Sequence, residues 1–269
     1  MNDVADHCTV CHKCFNPCPV NIDFGNVSMR MRSILLERGK KKTSPVTWAS
    51  MQFLNMKDRI PIKIMRIGMI QFGFTAQRWA HKLAKKAGIL GDNKRPASTL
   101  GKPPLKEQVI QFIKKPLPNG IPAKTTRAML GLEDSSVVPI IRDPTLSGDT
   151  RGDAVFYFPG CGSERLFSQV GLATLAMLYQ TGATTVLPPG YLCCGYPQNA
   201  GGDLKKGTQI STDNRVLFHR VANALSYLDI KTVIVSCGTC MDQLLKYEFG
   251  KIFPVAACWI FMSICWKKA

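Results

Sequence analysis

Ala154-Val155-Phe156-Tyr157-Phe158-Pro159-Gly160-Cys161 is five strand-forming residues closed by a proline, a glycine and a cysteine, and its reading sets the architecture of the second half of the chain. A continuous apolar run of this length, bounded by turn residues, is a strand buried on both faces. The pattern then alternates. Ser168–Thr181 has a helical apolar period, Thr184–Leu187 is a second strand, Asn214–Leu228 a second helix and Thr232–Ser236 a third strand. Strand, helix, strand, helix, strand at this spacing predicts a parallel sheet of the α/β class. A cysteine group follows each strand: Cys161 the first, Cys193-Cys194 the second, and Cys237 with Cys240 the third. Carboxyl ends of strands in open α/β sheets are where ligands gather, so three sequence-distant groups are expected on one edge.

Outward toward the amino terminus the texture changes. Residues 91–150 contain eight prolines, and within them only Lys106–Ile113 reads as a short helix, which predicts a wrapping linker. Before it, Met29, Met31, Ile34 and Leu35, then Ile62, Met65, Ile67, Met69, Ile70 and Phe72, are spaced for buried helix faces. The expected division is a helical segment 1–90, a linker 91–152, an α/β domain 153–254 and an aberrant tail 255–269.

The first turns carry Cys8-x2-Cys11-x2-Cys14-x3-Cys18-Pro19, which matches the bacterial ferredoxin run, including the proline that ends it. Four cysteines also suit zinc, but zinc sites commonly separate two pairs by a dozen or more residues, and this run is compact. A 4Fe-4S cluster is the expected cofactor. In two-cluster proteins such a run comes in pairs, with its last cysteine serving the other cluster. One copy is present, so either Cys18 closes a single cluster or a preceding segment is missing. His7 and His12 flank the run as exposed neighbours.

Eleven cysteines with no leader-like start, Met1–Asp6 being polar and acidic, suggest a reducing cytoplasm where grouped cysteines are metal ligands. No apolar run approaches the roughly 18 to 20 residues of a spanning helix. The formal charge of +17 is concentrated between Arg30 and Arg127 without a nucleic-acid motif, so nucleic acid is not an expected partner. A solvated basic face, or docking of an acidic partner or an anionic membrane surface at the inner face, accounts for it.

Pro159-Gly160-Cys161-Gly162, Cys193-Cys194-Gly195-Tyr196-Pro197 and Cys237-Gly238-Thr239-Cys240 together resemble the CCG, or cysteine-rich, domain found in heterodisulfide reductase and in the iron–sulfur subunits of glycolate oxidase and anaerobic glycerol-3-phosphate dehydrogenase. The resemblance implies that Cys161, Cys193, Cys194, Cys237 and Cys240 hold a second iron–sulfur cluster. Val20–Gly25 and Phe158–Leu172 extend the likeness to large bacterial proteins in which a flavin-binding oxidase region precedes ferredoxin and CCG segments. That implies an FAD-dependent dehydrogenase as an upstream portion or partner, and electron transfer to a quinone, disulfide or other acceptor. The alternative is a thiol or disulfide reductase acting at the CCG site, or an inactive gene fragment. A Cys-x2-Cys by itself also serves disulfide exchange. His219 and Arg165 lie nearby in sequence, read as a helix-packing histidine and a solvated arginine.

From Val255 the likeness stops. The remaining residues, including Cys258 and Cys265, have no period, and codons permitted for them can yield an amphipathic peptide in another frame. A frameshift near residue 254 is expected, with Cys258 and Cys265 not ligands.

Overall fold

A computed structural model describes residues 2–90, 105–146, 152–253 and 257–260. In chain order the elements are α1 (Asn2–His7), α2 (Phe24–Glu37), α3 (Pro45–Asn55), α4 (Arg59–Arg66), a π-helical stretch Ile67–Gly73, α5 (Phe74–Lys86), α6 (Leu105–Ile113) and α7 (Thr126–Leu130). Then come β1 (Ile140–Ile141), β2 (Ala154–Phe158), a π-helical turn Gly162–Leu166, α8 (Ser168–Gln180), β3 (Thr184–Val186), α9 (Tyr196–Gly201) and α10 (Leu204–Ala224). A 3₁₀ turn Ser226–Leu228, β4 (Thr232–Val235), α11 (Gly238–Leu245), α12 (Phe249–Ile252) and β5 (Ala257–Ile260) complete it.

Two compact units form, and neither follows the division expected from sequence. The first comprises 1–42 and 64–123, the second 43–63 and 124–269. The proline-rich stretch is therefore no independent linker. Residues 112–123 of it are pinned into the first unit, where Gln77 donates to the carbonyls of Phe112 and Lys115 and accepts from Leu117 N–H, while Arg66 donates to the Pro122 and Ala123 carbonyls. Its second half supplies α7 and β1 to the second unit, together with α3 from the expected helical segment. Prolines bar a segment from regular helix but leave its carbonyls available, and buried arginine and glutamine side chains collect them.

In the second unit the described strands form a sheet ordered β1-β3-β2-β4-β5. The β3–β2, β2–β4 and β4–β5 pairs are parallel, with Phe156 opposite Val186 and Val233. β1 joins antiparallel at one edge, Ile140 facing Val186, so the sheet is mixed. Alternation along β2 divides the core. Phe156 and Phe158 point to one face with Val233, Val235, Phe218 of α10, Leu244 of α11 and Phe249 of α12. Val155 and Tyr157 point to the other with Ile234 and with Leu175 and Leu178 of α8. The aromatic side is knit by ring contacts, Phe218 meeting Phe156 at 5.1 Å edge-on. Helices on both faces of the central strands define a doubly covered α/β sheet.

α8 follows β2 on one face, whereas α11 follows the adjacent β4 on the other. The chain thus leaves two neighbouring strands in opposite directions, which makes the carboxyl edge of β2 and β4 the topological switch point of the sheet.

The expected second helix, 214–228, begins ten residues earlier, where Asp203 accepts the Lys206 N–H as N-cap. The expected burial of Ile34, Ile67 and Phe72 is corrected: they are exposed, at 48%, 36% and 70%, while Leu35, Ile62 and Ile70 are buried. Of the stretch 255–269, residues 257–260 form β5, and the rest, with Cys265, lies outside the described residues. Among the described residues no helix is long and apolar enough to cross a membrane.

Candidate functional site

The three cysteine groups of the second unit meet at the switch point. β2 runs into Pro159 and Gly160, whose backbone is left-handed at φ +69°, and Cys161 then opens the π-helical turn. A Cβ on Gly160 would stand 2.7 Å from the sulfur of Cys240, closer than atoms can approach, so glycine is what lets the third group reach the first. After β3 the chain stays buried through Tyr191, Leu192, Cys193 and Cys194 before Gly195 turns it, at φ +86°, into α9. The doublet's backbone is held from below. Asn214 Nδ2 donates to the Cys193 carbonyl at 2.7 Å and to Tyr247 Oη, and Tyr247 Oη donates to the Cys194 carbonyl at 2.8 Å. Beyond β4, Cys237 precedes the first residue of α11 and Cys240 lies in its first turn.

The sulfurs form a line of neighbours. Cys161 and Cys193 Sγ are 3.9 Å apart. Cys193 adjoins Cys194, and Cys194, Cys240 and Cys237 follow closely enough for each thiol to shift the acidity of the next. Four of the five are buried and none is in a disulfide. Their acidities alternate accordingly. The bond to Cys193, with burial, pushes Cys161 well up. The bond with Cys161 pulls Cys193 down, but the neighbouring Cys194 and burial leave it pushed up, to about 11. The neighbouring Cys193 and Cys240 thiols draw Cys194 well down, and Cys240 is pushed well up between Cys194 and Cys237. Cys237, half-exposed, is drawn down to about 4 by Cys240 and Thr239 against a smaller cost of burial.

Beside this line lies a set of charges that sequence reasoning read differently. Arg165, expected to be solvated, is fully buried. It donates to the carbonyls of Phe53 and Leu54 at the end of α3 and sits under the Tyr191 ring, 5.8 Å from the centroid. Arg127 and Glu164, both about 1% exposed, pair directly, and Arg127 also donates to the Pro188 carbonyl at 2.7 Å. Burial pushes the Glu164 carboxyl up while the two guanidiniums pull it back. Arg165 is a buried cation attracted by Cys161, Glu164 and Cys193. Glu164, Arg127, Asn214, Tyr191 and Tyr247 were not found from sequence. His219 is half-buried on α10.

Among the described residues no three His, Cys, Asp or Glu side chains converge as they would about a single metal ion. The donor set fits a group of several metals better. Five clustered thiols cannot all ionise in a dry pocket without cations among them, and iron–sulfur clusters take cysteine thiolates at separate irons. A buried cation beside the thiols suits an anionic prosthetic group, because opposite charges attract strongly where water is excluded.

The first unit holds Cys8, Cys11, Cys14 and Cys18 on the loop between α1 and α2. Val10, His12 and Asn21 adopt left-handed backbone there, at φ 54°, 58° and 54°, which curls the loop on itself. Val10 N–H points at Cys8 Sγ at 3.4 Å and Ile22 N–H at Cys18 Sγ at 3.3 Å, the hydrogen bonding that cluster thiolates receive. Asp23 organises the loop's end. It accepts from Gly25 N–H as N-cap of α2, meets His12 Nδ1 at 2.5 Å and lies 3.9 Å from Cys14 Sγ. Burial raises its carboxyl, but the His12 and Gly25 bonds outweigh that and hold it low. His12 is thus half-buried rather than an exposed neighbour, while His7 is exposed. Cys11, exposed, is drawn down by the N–H of Lys13 and by the Thr9 side chain.

With strand ends, cysteines and sheet order in this arrangement, residues 155–245 match the family model described as the cysteine-rich domain, CCG. A curated relative is the "Probable glycolate oxidase iron-sulfur subunit" of Bacillus subtilis (strain 168), 30% identical over 94 residues, which are 35% of this chain and 20% of the relative. The chain therefore spans about a fifth of the length of that relative in its matched part. No solved structure matches the chain.

Proposed function

We propose that the chain is an iron–sulfur electron-relay module of an oxidoreductase. Cys161, Cys193, Cys194, Cys237 and Cys240 hold one cluster at the switch point, and Cys8, Cys11, Cys14 and Cys18 serve a 4Fe-4S cluster in the first unit. When bound, such clusters supply one-electron redox steps over a potential range of about −700 to +450 mV. The chain's own residues bind and tune them. Asn214 and Tyr247 fix the doublet, Gly160 admits Cys240, and buried Arg165 offsets negative charge. A flavin-dependent dehydrogenase, as a partner or a further portion of a longer protein, is the proposed electron donor, with a quinone, disulfide or other acceptor beyond.

The observation that carries this reading is the meeting of five free cysteines from three strand ends at one switch point. It is tested by anaerobic reconstitution with iron and sulfide, iron counting and electron paramagnetic resonance, on the wild type and on Cys193→Ser/Cys194→Ser. Two paramagnetic species in the wild type, one surviving in the variant, are expected. A wild type that takes up only zinc or stoichiometrically trivial iron overturns the reading.

A further inference from the structure

α4, the π-helical stretch and α5 run without interruption from Arg59 to Lys86. The inner side of the part within the first unit is settled by its bonds. Arg66, Gln77 and His81 all contact backbone carbonyls of residues 112–123, and Ile70 and Ala84 are buried. The opposite side exposes Ile64 (64%), Ile67, Phe72, Trp79 (65%) and Leu83 (61%). Their spacing is not that of one α-helical face. At about 100° per residue, an unbroken α-helix would carry Leu83 roughly 100° round from Ile64. The seven π residues each turn less, since their bonds span i to i+5, and they bring Phe72, Trp79 and Leu83 back into line with Ile64 and Ile67.

This line of large apolar side chains runs through a basic stretch. No Asp or Glu occurs between Arg59 and Leu90, and Lys82, Lys85 and Lys86 are exposed at its end. Among the described residues no acidic side chain pairs with these three lysines.

We infer that this side of the helix docks on an anionic phospholipid bilayer, lying in the interface with Phe72, Trp79 and Leu83 in the headgroup boundary and the lysines on lipid phosphates. Apolar burial together with basic attraction is the two-signal requirement for stable peripheral binding, and tryptophan prefers that depth. An acidic protein would satisfy the lysines but gives no reason for a tryptophan-bearing line kept straight by a π-helical register correction. The inference does not depend on cluster binding, because all the residues involved lie in the helix.

The test is co-sedimentation of the full reconstituted chain with vesicles of phosphatidylglycerol and phosphatidylethanolamine, and with phosphatidylcholine alone. The wild type is expected to bind the anionic vesicles at least tenfold more tightly than phosphatidylcholine. Phe72→Ser/Trp79→Ser, both positions exposed and compatible with folding as checked by circular dichroism, should lose at least tenfold at physiological salt, as should Lys82→Gln/Lys85→Gln/Lys86→Gln. A wild type that stays in the supernatant, as when a protein or a further domain covers this face, overturns the inference. So does a serine variant that binds like the wild type, which would mean adsorption by charge alone. Cluster content, read in the same samples, reports separately on the relay function.

Discussion

Cys161 and Cys193 stand 32 positions apart in the chain, yet their sulfurs are 3.9 Å apart at the end of the sheet. A small side-chain rotation would close that gap to a bond. Mild oxidation of the metal-free protein should therefore give a Cys161–Cys193 disulfide ahead of other pairs in the second unit, read by peptide mass spectrometry. Reconstitution with iron and sulfide beforehand should suppress it. Equal yields with and without iron would mean these thiols are not engaged by a metal group.

Gly160→Ala should displace Cys240. The added carbon meets its sulfur at 2.7 Å, and the left-handed backbone alone costs about 1–2 kcal/mol for an L-residue. Thermal unfolding and iron content should both fall. An alanine variant with wild-type iron content would show that Cys240 need not approach the loop after β2.

Removing Arg127 takes the direct partner from the buried Glu164 carboxylate, so Arg127→Met should cost about 3–5 kcal/mol in urea unfolding. Adding Glu164→Gln should return much of it, a non-additivity expected of a direct pair. The pH dependence has a definite sign. In the single variant the carboxyl's folded value lies above its unfolded one, so the unfolded state releases its proton first and stability declines as pH rises between the two values. A loss that is flat with pH would place the cost in packing instead.

Arg165→Met removes a cation beside Cys161 and Cys193. Reduction adds negative charge, which the cation favours, so the midpoint potential of the cluster proposed for this site should move negative. A tenfold change in the reduced-to-oxidised ratio corresponds to about 59 mV for one electron. Arg165→Lys, retaining the charge, should shift less. A redox titration in which the Met and Lys variants coincide would assign Arg165 to packing alone.

In the first unit, Asp23→Ala removes the N-cap of α2, worth about 1 kcal/mol, and frees the loop that bears Cys14. Chelator challenge should strip iron from the reconstituted variant faster in this unit, with the signal assigned to the second unit unchanged. Unchanged release would show that the loop is held without Asp23.

The central strands and the cysteine edge were legible in the sequence because both are local signals. A run such as Val155–Phe158 can only be a buried strand, and a cysteine two or three residues beyond falls at its end. Burial of Arg165, Arg127 and Glu164 was not legible. Their residue types read as solvent-facing, and the partners that make burial tolerable lie 37 and over 100 positions away. The two-residue strand Ile140–Ile141 is too short for any period to mark it. The π-helical stretch escaped because pattern reading assumes a constant turn, which also led to Ile67 and Phe72 being expected inside.

The carbonyls that Arg165 holds at Phe53 and Leu54, and the Thr125 hydroxyl 2.6 Å from that of Tyr191, come from outside the 155–245 stretch that matches the cysteine-rich model. The domain is thus not a detachable module at the borders its motif suggests. A piece excised at residue 152 would strip Arg165 of the Phe53 and Leu54 carbonyls and Tyr191 of the Thr125 hydroxyl, so a minimal expression fragment that keeps these bonds begins before Ser44.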